Sequence, residues 1–158
     1  MVRNYLRFCL TRFRVLLGRL KGGVITIGSK SYIESGVFFS AKRNITIGKN
    51  TYIGRNSSLS CHLNIGDDVL IASNVSFVGG DHKIDNVDGL IRLSGRDTIR
   101  TITIESDVWV GHGAIIMHGV TLSKGCVVAA GSIVTKDVSE NMIVGGNPAN
   151  IIRKRKSA

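Results

Sequence analysis

The sequence has little proline and few aromatic residues: Pro148 is its only proline, and aromatics make up 6% of its 158 residues. No run approaches the roughly 20 apolar residues that a helix needs to cross a bilayer, so we expect no transmembrane span. Arginines interrupt the apolar first twenty residues, and we expect no secretory signal. The three cysteines, Cys9, Cys61 and Cys126, have no metal-type spacing, and their odd number excludes a complete disulfide framework. We expect buried, reduced thiols in a cytosolic protein.

Positive charge, by contrast, is abundant. The chain has 21 Lys and Arg against 11 Asp and Glu, a formal net charge of +10. These charges are concentrated at the two ends of the chain, namely at Arg3, Arg7, Arg12, Arg14, Arg19 and Lys21, and again at Arg153, Lys154, Arg155 and Lys156. Such ends should attract anions, including phosphates, acidic glycans and anionic membranes. No basic patch is interleaved with aromatic residues, so nucleic acid is not an expected partner.

Aliphatic or aromatic residues recur at every sixth position in two long series, Ile47, Ile53, Leu59, Ile65, Ile71, Phe77 and Ile104, Val110, Ile116, Leu122, Val128, Val134. A helix cannot hold this period on one face, whereas extended backbone can. Three short strands joined by turns would close a triangular coil of eighteen residues, and stacked coils would share one interior. The sequence therefore predicts an all-β fold, a parallel β-helix of about five coils at 27–39, 47–59, 65–77, 104–116 and 122–134. An ordinary β-sandwich would not keep twelve positions in register.

The repeat divides the chain into three regions. We expect an N-terminal amphipathic helix at 1–22, the β-helix at 23–138 and a basic C-terminal arm at 139–158 that leaves the repeat. Residues 78–103 interrupt the β-helix and are predicted to form an extruded loop. A loop of this length inside so regular a fold is typical of a functional segment.

The N-terminal helix has an apolar stripe formed by Val2, Leu6, Cys9, Phe13, Leu16 and Leu20, with Arg3, Arg7, Arg14 and Lys21 on another face. One interpretation is a basic helix that rests on an anionic membrane surface. The other is a cap on the open edge and core of the first coil. A helix that covers the coil and leaves its arginines outward would satisfy both.

The residues with chemical potential lie in and after the loop. His82 follows two glycines there, a plausible place for a general base. Trp109, the only tryptophan, should face outward and provide a flat apolar wall. Arg92, Arg96 and Arg100 would suit an acidic acceptor. His112 and His118 are six residues apart and should point in different directions, while His62 has no visible partner.

Five segments carry a family resemblance: Ile65–Phe77, Asp81–His82, Asp107–Gly111, Gly125–Asp137 and Gly145–Ala149. Over about residues 24–155 the sequence resembles the left-handed β-helix, hexapeptide-repeat acyltransferases of the galactoside, maltose, xenobiotic and polysaccharide O-acetyltransferase type. The resemblance implies left-handed coils and homotrimers with active sites between neighbouring subunits. It also implies transfer from acetyl-CoA to a sugar or glycan acceptor without a metal.

The resemblance also implies residue roles. His82 would be the general base, and Trp109, His112 and Asp81 would form the acceptor and thioester pocket. Coenzyme contacts would fall on Ala130, Thr135, Lys136 and Arg153. Histidine at 112 departs from the more common serine, and Asn150 stands where a second basic residue often follows the Pro-Ala pair. Asp85, Asp88 or a backbone carbonyl would orient the imidazole of His82.

The expected function is O-acetylation of a polysaccharide, O-antigen, capsule or lipid-linked glycan precursor. The expected location is the cytoplasm, with peripheral contact at the inner face of the membrane through residues 1–20. Two alternatives remain open. The Val110–Gly119 segment looks similar to γ-type carbonic anhydrases, but five residues separate His112 from His118 where that family has four. The other alternative is a non-catalytic basic β-helix that binds anionic surfaces.

Overall fold

The structure, a computed structural model, describes residues 2–85 and 87–156, and it describes side chains from residue 9 onward. Predictions that concern the side chains of Val2, Arg3, Leu6 and Arg7 therefore lie outside the described residues. The chain begins with one helix, α1 (Val2–Arg19), and continues with seventeen strands. In the described part of the chain, no helix is long and apolar enough to cross a bilayer.

The strands form three sheets, and consecutive strands of the first five coils lie in different sheets. The first sheet contains β1 (Val24–Ile27), β4 (Asn44–Ile47), β7 (Leu63–Ile65), β10 (Ile102–Ile104) and β13 (Thr121–Leu122). The second contains β2 (Tyr32–Ile33), β5 (Tyr52–Ile53), β8 (Leu70–Ile71), β11 (Trp109–Val110), β14 (Val127–Val128), β16 (Met142–Gly146) and β17 (Ala149–Lys154). The third contains β3 (Phe38–Phe39), β6 (Ser58–Leu59), β9 (Ser76–Val78), β12 (Ile115–Met117) and β15 (Ile133–Val134).

This arrangement confirms the coils predicted from the period of six. Each coil takes one strand from each sheet, and the strands pair in parallel with those of the coils above and below. The repeat positions point into the shared interior, where Ile53, Leu59, Ile71 and Phe77 are completely buried. Corners are turned by residues in the left-handed backbone region, mostly asparagine, aspartate and glycine, whose steric cost there is low.

Helix α1 covers the first coil, but not with the stripe predicted from the sequence. Thr11 and Val15 are the buried residues on its inner face, whereas Phe13, Leu16 and Leu20 of the stripe are 53–76% exposed. The helix also lies close to the coil, because a Cβ on Gly18 would overlap Cδ1 of Ile25. The helix is therefore a cap whose predicted apolar face points away from the molecule.

Side chains of the cap satisfy backbone groups on the open edge of the first coil. Thr11 Oγ1 accepts the N–H of Ile33 at 3.1 Å. Arg14 donates to the carbonyl of Ile33 at 2.7 Å, and Arg19 and Lys21 donate to carbonyls of the neighbouring strands β1 and β3. The expectation that the arginines of the helix face outward is thus wrong for Arg14, because an open edge leaves backbone groups that need partners.

The opposite end of the molecule is closed by the C-terminal strands. Residues 139–158 were predicted to leave the repeat, yet β16 pairs in parallel with β14 and continues the second sheet. The chain then reverses, and β17 pairs antiparallel with β16, with a register shift between Ile143 and Val144. The basic segment at the end of the chain therefore lies along the edge of the second sheet.

Two of the three cysteines match the expectation. Cys61 and Cys126 are buried, but Cys9 is exposed on the outer side of α1, and all three are free thiols. Burial raises the pKa of Cys61 to about 11, with Arg43 acting in the opposite direction and Asp81 in the same one. Burial raises the pKa of Cys126 to about 12.

Candidate functional site

The predicted loop leaves the third coil after β9 and returns at β10, so it spans residues 79–101. Its exit is tight, because a Cβ on Gly79 would lie 2.5 Å from Cβ of His118 and 3.1 Å from Sγ of Cys61. The next residue, Gly80, has a φ of 77°, a backbone conformation that favours glycine. The two glycines therefore permit the chain to turn out of the coil immediately before His82.

His82 is held at the base of the loop by a short antiparallel ladder. Its backbone bridges to that of Arg96. The backbone N–H of Asp97 donates to the carbonyl of Asp81 at 2.7 Å, and the backbone N–H of Lys83 donates to the carbonyl of Gly95 at 3.2 Å. The Asp81 side chain is exposed. Between these two arms lies a short 3₁₀ turn at Ile91–Leu93. The position of the histidine is thus fixed by backbone hydrogen bonds.

The side chain of His82 is half-buried, and its Nδ1 is buried with no hydrogen-bond partner among the described residues. A group that orients the imidazole by a hydrogen bond to Nδ1 was expected, but none is found among the described residues. Within this part of the chain, neither Asp85, Asp88 nor a backbone carbonyl accepts a hydrogen bond from this nitrogen. The guanidinium of Arg96, also on the loop, donates to the carbonyl of Gly80 at 3.3 Å and stabilises the start of the loop.

Trp109 faces outward from β11, as predicted, and its side chain is 53% exposed. It lines a cavity of about 460 Å³ between the second sheet and the C-terminal strand. The apolar wall includes Leu70 and Ile143, and the charged wall includes Arg153 and Arg155. The structure therefore brings two of the predicted site residues, Trp109 and Arg153, into one cavity.

Arg155 also lines this cavity, although the sequence identified it only as one of the basic residues near the end of the chain. Its Nη1 donates to Asp107 at 3.0 Å and to the carbonyl of Gly125 at 2.8 Å. The sequence signal for Arg155 was its spacing of two residues from Arg153, because side chains two apart on extended backbone lie on one face. The antiparallel return of this strand, which carries the arginines to Trp109, had no signal in the repeat.

His112 and Ala130 occupy successive coils at the corner between the second and third sheets. The N–H of Gly131 donates to the carbonyl of His112 at 2.8 Å. The imidazole of His112 lies on the preceding coil, with Nδ1 3.0 Å from Ser73 Oγ and Nε2 3.4 Å from Asn74 Nδ2. This corner presents an exposed imidazole and, one coil further, the exposed methyl of Ala130.

Thr135 and Lys136 follow β15, at the corner between the third and first sheets, and both side chains are exposed. Lys136 lines a cavity of about 200 Å³ that also includes Asn150 and Ile151 of the C-terminal strand. The four predicted coenzyme residues thus surround the last coils but do not share one cavity. Lys136 and Arg153 lie in different cavities, whose linings have no residue in common.

The remaining histidines are bound to the backbone of the coils. His62, for which no partner was expected, accepts the N–H of Asn44 through Nδ1 at 3.0 Å. His118 accepts the N–H of Arg100 through Nδ1 at 3.2 Å. His112 lies at a different corner, so it does not pair with His118. Among the described residues, no group of three His, Cys, Asp or Glu side chains is placed to hold a metal ion.

Stacked three-strand coils with an extruded loop define the class of hexapeptide-repeat β-helix proteins. Residues 101–136 match the family model of the bacterial transferase hexapeptide with six repeats, and residues 44–77 match that of the hexapeptide repeat of succinyl-transferase. A hexapeptide-repeat containing acetyltransferase from Vibrio cholerae superposes with a TM-score of 0.75 at 33% identity, over 93% of this chain and 82% of that one. The chain therefore belongs to the left-handed β-helix, hexapeptide-repeat acetyltransferase family.

Three further similarities are to two coenzyme complexes and to a galactoside O-acetyltransferase. The Vibrio cholerae protein has also been solved with acetyl coenzyme A, and that structure superposes with a TM-score of 0.71 over 92% of this chain and 78% of that one. A galactoside acetyltransferase in complex with coenzyme A superposes with a TM-score of 0.73 at 34% identity, over 84% of this chain and 65% of that one. The galactoside O-acetyltransferase of Escherichia coli (strain K12) is 37% identical over 131 residues, 82% of this chain.

The chain spans about three fifths of the length of several curated relatives. It covers 63% of the Escherichia coli galactoside O-acetyltransferase and between 58% and 62% of two yeast relatives.

Proposed function

We propose that this protein is an acetyl-CoA-dependent O-acetyltransferase that acts on a sugar hydroxyl. Its acceptor would be a polysaccharide, O-antigen, capsule or lipid-linked glycan precursor. The observation that carries the proposal is His82, on a loop extruded from this acetyltransferase fold. Its imidazole is half-buried, and its Nδ1 has no hydrogen-bond partner among the described residues. The relatives support the reaction class, because two of them are acetyltransferases solved with acetyl coenzyme A or coenzyme A.

His82 is proposed as the general base. A buried polar atom without a partner costs about 1–3 kcal/mol, and a catalytic role is one explanation for such atoms in native proteins. Acetyl-CoA supplies a thioester, whose carbonyl carbon forms a C–O bond with the acceptor while its C–S bond breaks. His82 removes the proton of the sugar hydroxyl and later returns it to the departing sulfur. A base placed in this way contributes about 10²–10⁴-fold to the rate.

Basic and small residues around the last coils are proposed to hold the coenzyme. Lys136 and Arg153 carry charges suited to its phosphates, since charge-assisted hydrogen bonds to phosphate are among the stronger ones in proteins. Both side chains are exposed and available to a ligand. Thr135 provides a hydroxyl beside Lys136, and the small side chain of Ala130 leaves room for a ligand to follow the corner.

The cavity beside Trp109 is proposed to form the apolar wall of the acceptor and thioester pocket. A half-exposed indole suits the face of a sugar ring or the arm of an acyl carrier. His112 and Asp81 are proposed to complete this pocket from the neighbouring corner and from the loop. The Ser73 and Asn74 contacts fix the ring of His112, which gives it one defined orientation toward the ligand.

We further propose a homotrimer with each site between two subunits. The loop exposes five large aliphatic side chains, Ile84, Val87, Leu90, Ile91 and Leu93, each 57–91% exposed. Such a cluster is typical of a surface that packs against a partner. His82 leaves from one corner of the triangle, whereas Trp109 and Arg153 lie on another side of it, so a neighbouring copy would bring the two sets together.

Calorimetric titration of acetyl-CoA, followed by a thiol-release assay with a panel of sugars and glycan precursors, tests this function. The wild type should bind acetyl-CoA, and the sugar that releases thiol identifies the acceptor. Lys136→Ala and Arg153→Ala should each weaken binding about tenfold, the loss of one charge-assisted hydrogen bond of about 1.5 kcal/mol. Lys49→Ala, an exposed lysine on the second coil, is the charge-matched control and should bind normally. No binding of acetyl-CoA by the wild type would refute the proposal.

A further inference from the structure

Helix α1 packs one face against the first coil and exposes the opposite face. Thr11, Val15 and Gly18 face the first coil. On the far side five large apolar residues are 41–76% exposed, namely Leu10, Phe13, Leu16, Leu17 and Leu20. At 3.6 residues per turn they cover an arc of about 120° on the helix surface. We call these five residues the outer face.

The outer face is bordered by positive charge on both sides. Residues 1–22 contain six basic residues and no acidic one. On the helical wheel Arg12 and Arg19 lie along one border of the outer face, and Arg14 and Lys21 lie along the other. Arg14, Arg19 and Lys21 donate to backbone carbonyls, which carry no net charge, so their positive charges are not neutralised by these bonds.

The patch continues onto the first coil beside the helix. Phe38 of β3 is 50% exposed, and the ammonium of Lys21 lies 4.3 Å from the centre of its ring. A cavity of about 330 Å³ separates the helix from this strand and is lined by Leu17, Leu20 and Phe38, among others. Apolar and basic groups therefore lie side by side where the helix meets β3.

We propose that the outer face of α1 binds the surface of an anionic lipid bilayer while its inner face stays on the first coil. An apolar arc with basic borders is the pattern of helices that lie in the plane of a membrane interface, where the apolar groups enter the acyl boundary and the cations meet anionic headgroups. A second copy fits this face less well. In a two-fold pair the same borders would meet, and cations would oppose cations.

This placement sets the height of the proposed active site above the membrane. The capped end faces the bilayer, and the loop with His82 leaves the third coil, two coil spacings or about 10 Å along the stack. A glycan attached to a lipid headgroup would then reach His82 without leaving the membrane surface. This last step rests on the proposed acetyl transfer, whereas membrane binding by α1 does not.

Vesicle flotation of the purified full chain tests the inference. The wild type should float with vesicles of phosphatidylcholine containing 30% phosphatidylglycerol and remain in solution with pure phosphatidylcholine, because the cations contribute through anionic lipid. Phe13→Glu with Leu20→Glu should reduce the bound fraction at least tenfold, since two apolar anchors of the outer face become charged. Both positions are exposed, so the cap on the first coil should remain intact.

A charge-matched control separates the effect of changing the outer face from the effect of changing the net charge. Asn64→Glu with Ser139→Glu also adds two negative charges, at exposed positions away from α1, and should float within about twofold of the wild type. Equal flotation of the outer-face variant and the wild type, or no flotation of the wild type, would overturn the inference. A larger assembly of wild type than of the outer-face variant in light scattering, without vesicles, would assign the face to a second copy. Thiol release with a soluble acceptor, measured in parallel, reports separately on the proposed reaction.

Discussion

Arg155 is joined to Asp107 by an ion pair of 3.0 Å that ties the end of the chain to the coil carrying Trp109. The same guanidinium donates to the carbonyl of Gly125 at 2.8 Å. These two bonds place the basic C-terminal segment over one wall of the Trp109 cavity. The pair itself is open to solvent, with side-chain exposures of 40% and 62%.

We therefore expect Arg155→Ala to affect ligand binding more than stability. Exposed ion pairs contribute about 0–1 kcal/mol, so the midpoint of urea unfolding should hardly change. The Kd for acetyl-CoA should rise several-fold, because the variant loses a cation of the cavity and the anchor of the C-terminal segment. Calorimetry and urea unfolding of Arg155→Ala and Asp107→Asn measure both effects. Asparagine removes the charge of Asp107 and still tolerates the φ of 59° at this corner, which alanine would strain. A large loss of stability with unchanged coenzyme binding would contradict this account.

Gly18 is the point of closest approach between α1 and the first coil. A Cβ there would overlap Cδ1 of Ile25 and lie 3.1 Å from the ring of Phe39. Gly18→Ala should therefore destabilise the protein by about 1–3 kcal/mol through overpacking, although alanine favours a helix over glycine by about 1 kcal/mol. Leu17→Ala, at a 46% exposed neighbouring position, should change stability by less than about 0.5 kcal/mol. Stabilisation by Gly18→Ala, measured by urea unfolding, would show that the cap lies further from the coil.

The buried thiols should be unreactive in the folded protein. Burial holds the pKa of Cys61 at about 11 and that of Cys126 at about 12, so almost no thiolate forms at pH 8. Titration with a disulfide reagent should modify one thiol, Cys9, quickly and all three only after unfolding. Cys9→Ser should leave no rapidly reacting thiol in the native protein. Fast modification of two or more thiols in the native state would contradict the buried placement.

The same shifts predict a pH dependence of stability. Both thiols have a pKa in the folded protein above the ordinary value of 9.0, so above pH 9 the unfolded chain loses these protons first. The free energy of unfolding should therefore fall as pH rises from about 9 toward 11. Thermal unfolding between pH 8 and 10.5 measures this fall, and it should be shallower in a Cys61→Ala, Cys126→Ala variant. Equal slopes in both proteins would contradict the assignment.

The coils could be predicted from the sequence because few folds place every sixth residue of a chain in one interior. Positions such as Leu59 and Phe77 are apolar in register, and each must enter the one interior that stacked coils provide. Where the repeat is uninterrupted, as between β4 and β7, the same period also gives the neighbour of a corner residue, eighteen positions away. The Asn44 partner of His62 follows this spacing and was available from the repeat.

Both ends of the molecule were harder to predict, because the repeat does not reach them. The stripe through Phe13 and Leu20 is apolar, yet the helix buries Thr11 and Val15 instead. The open edge of the first coil needs donors and acceptors as well as apolar surface, and a close approach at Gly18 needs a small residue. The spacing of apolar residues in the sequence indicates neither the hydrogen-bonding groups nor the small residue. The return of β17 likewise depends on a register shift after Ile143 that has no counterpart in the coils.

The most direct test of the central claim is the rate of thiol release from acetyl-CoA by His82→Ala, with the acceptor identified for the wild type. Loss of the base should lower kcat about 10²–10⁴-fold. The Kd for acetyl-CoA should stay within about twofold, because the residues proposed to hold the coenzyme are unchanged. Lys83→Ala, an exposed neighbour on the same loop, should keep the wild-type rate. A His82→Ala protein that binds acetyl-CoA and releases thiol at the wild-type rate would contradict the account.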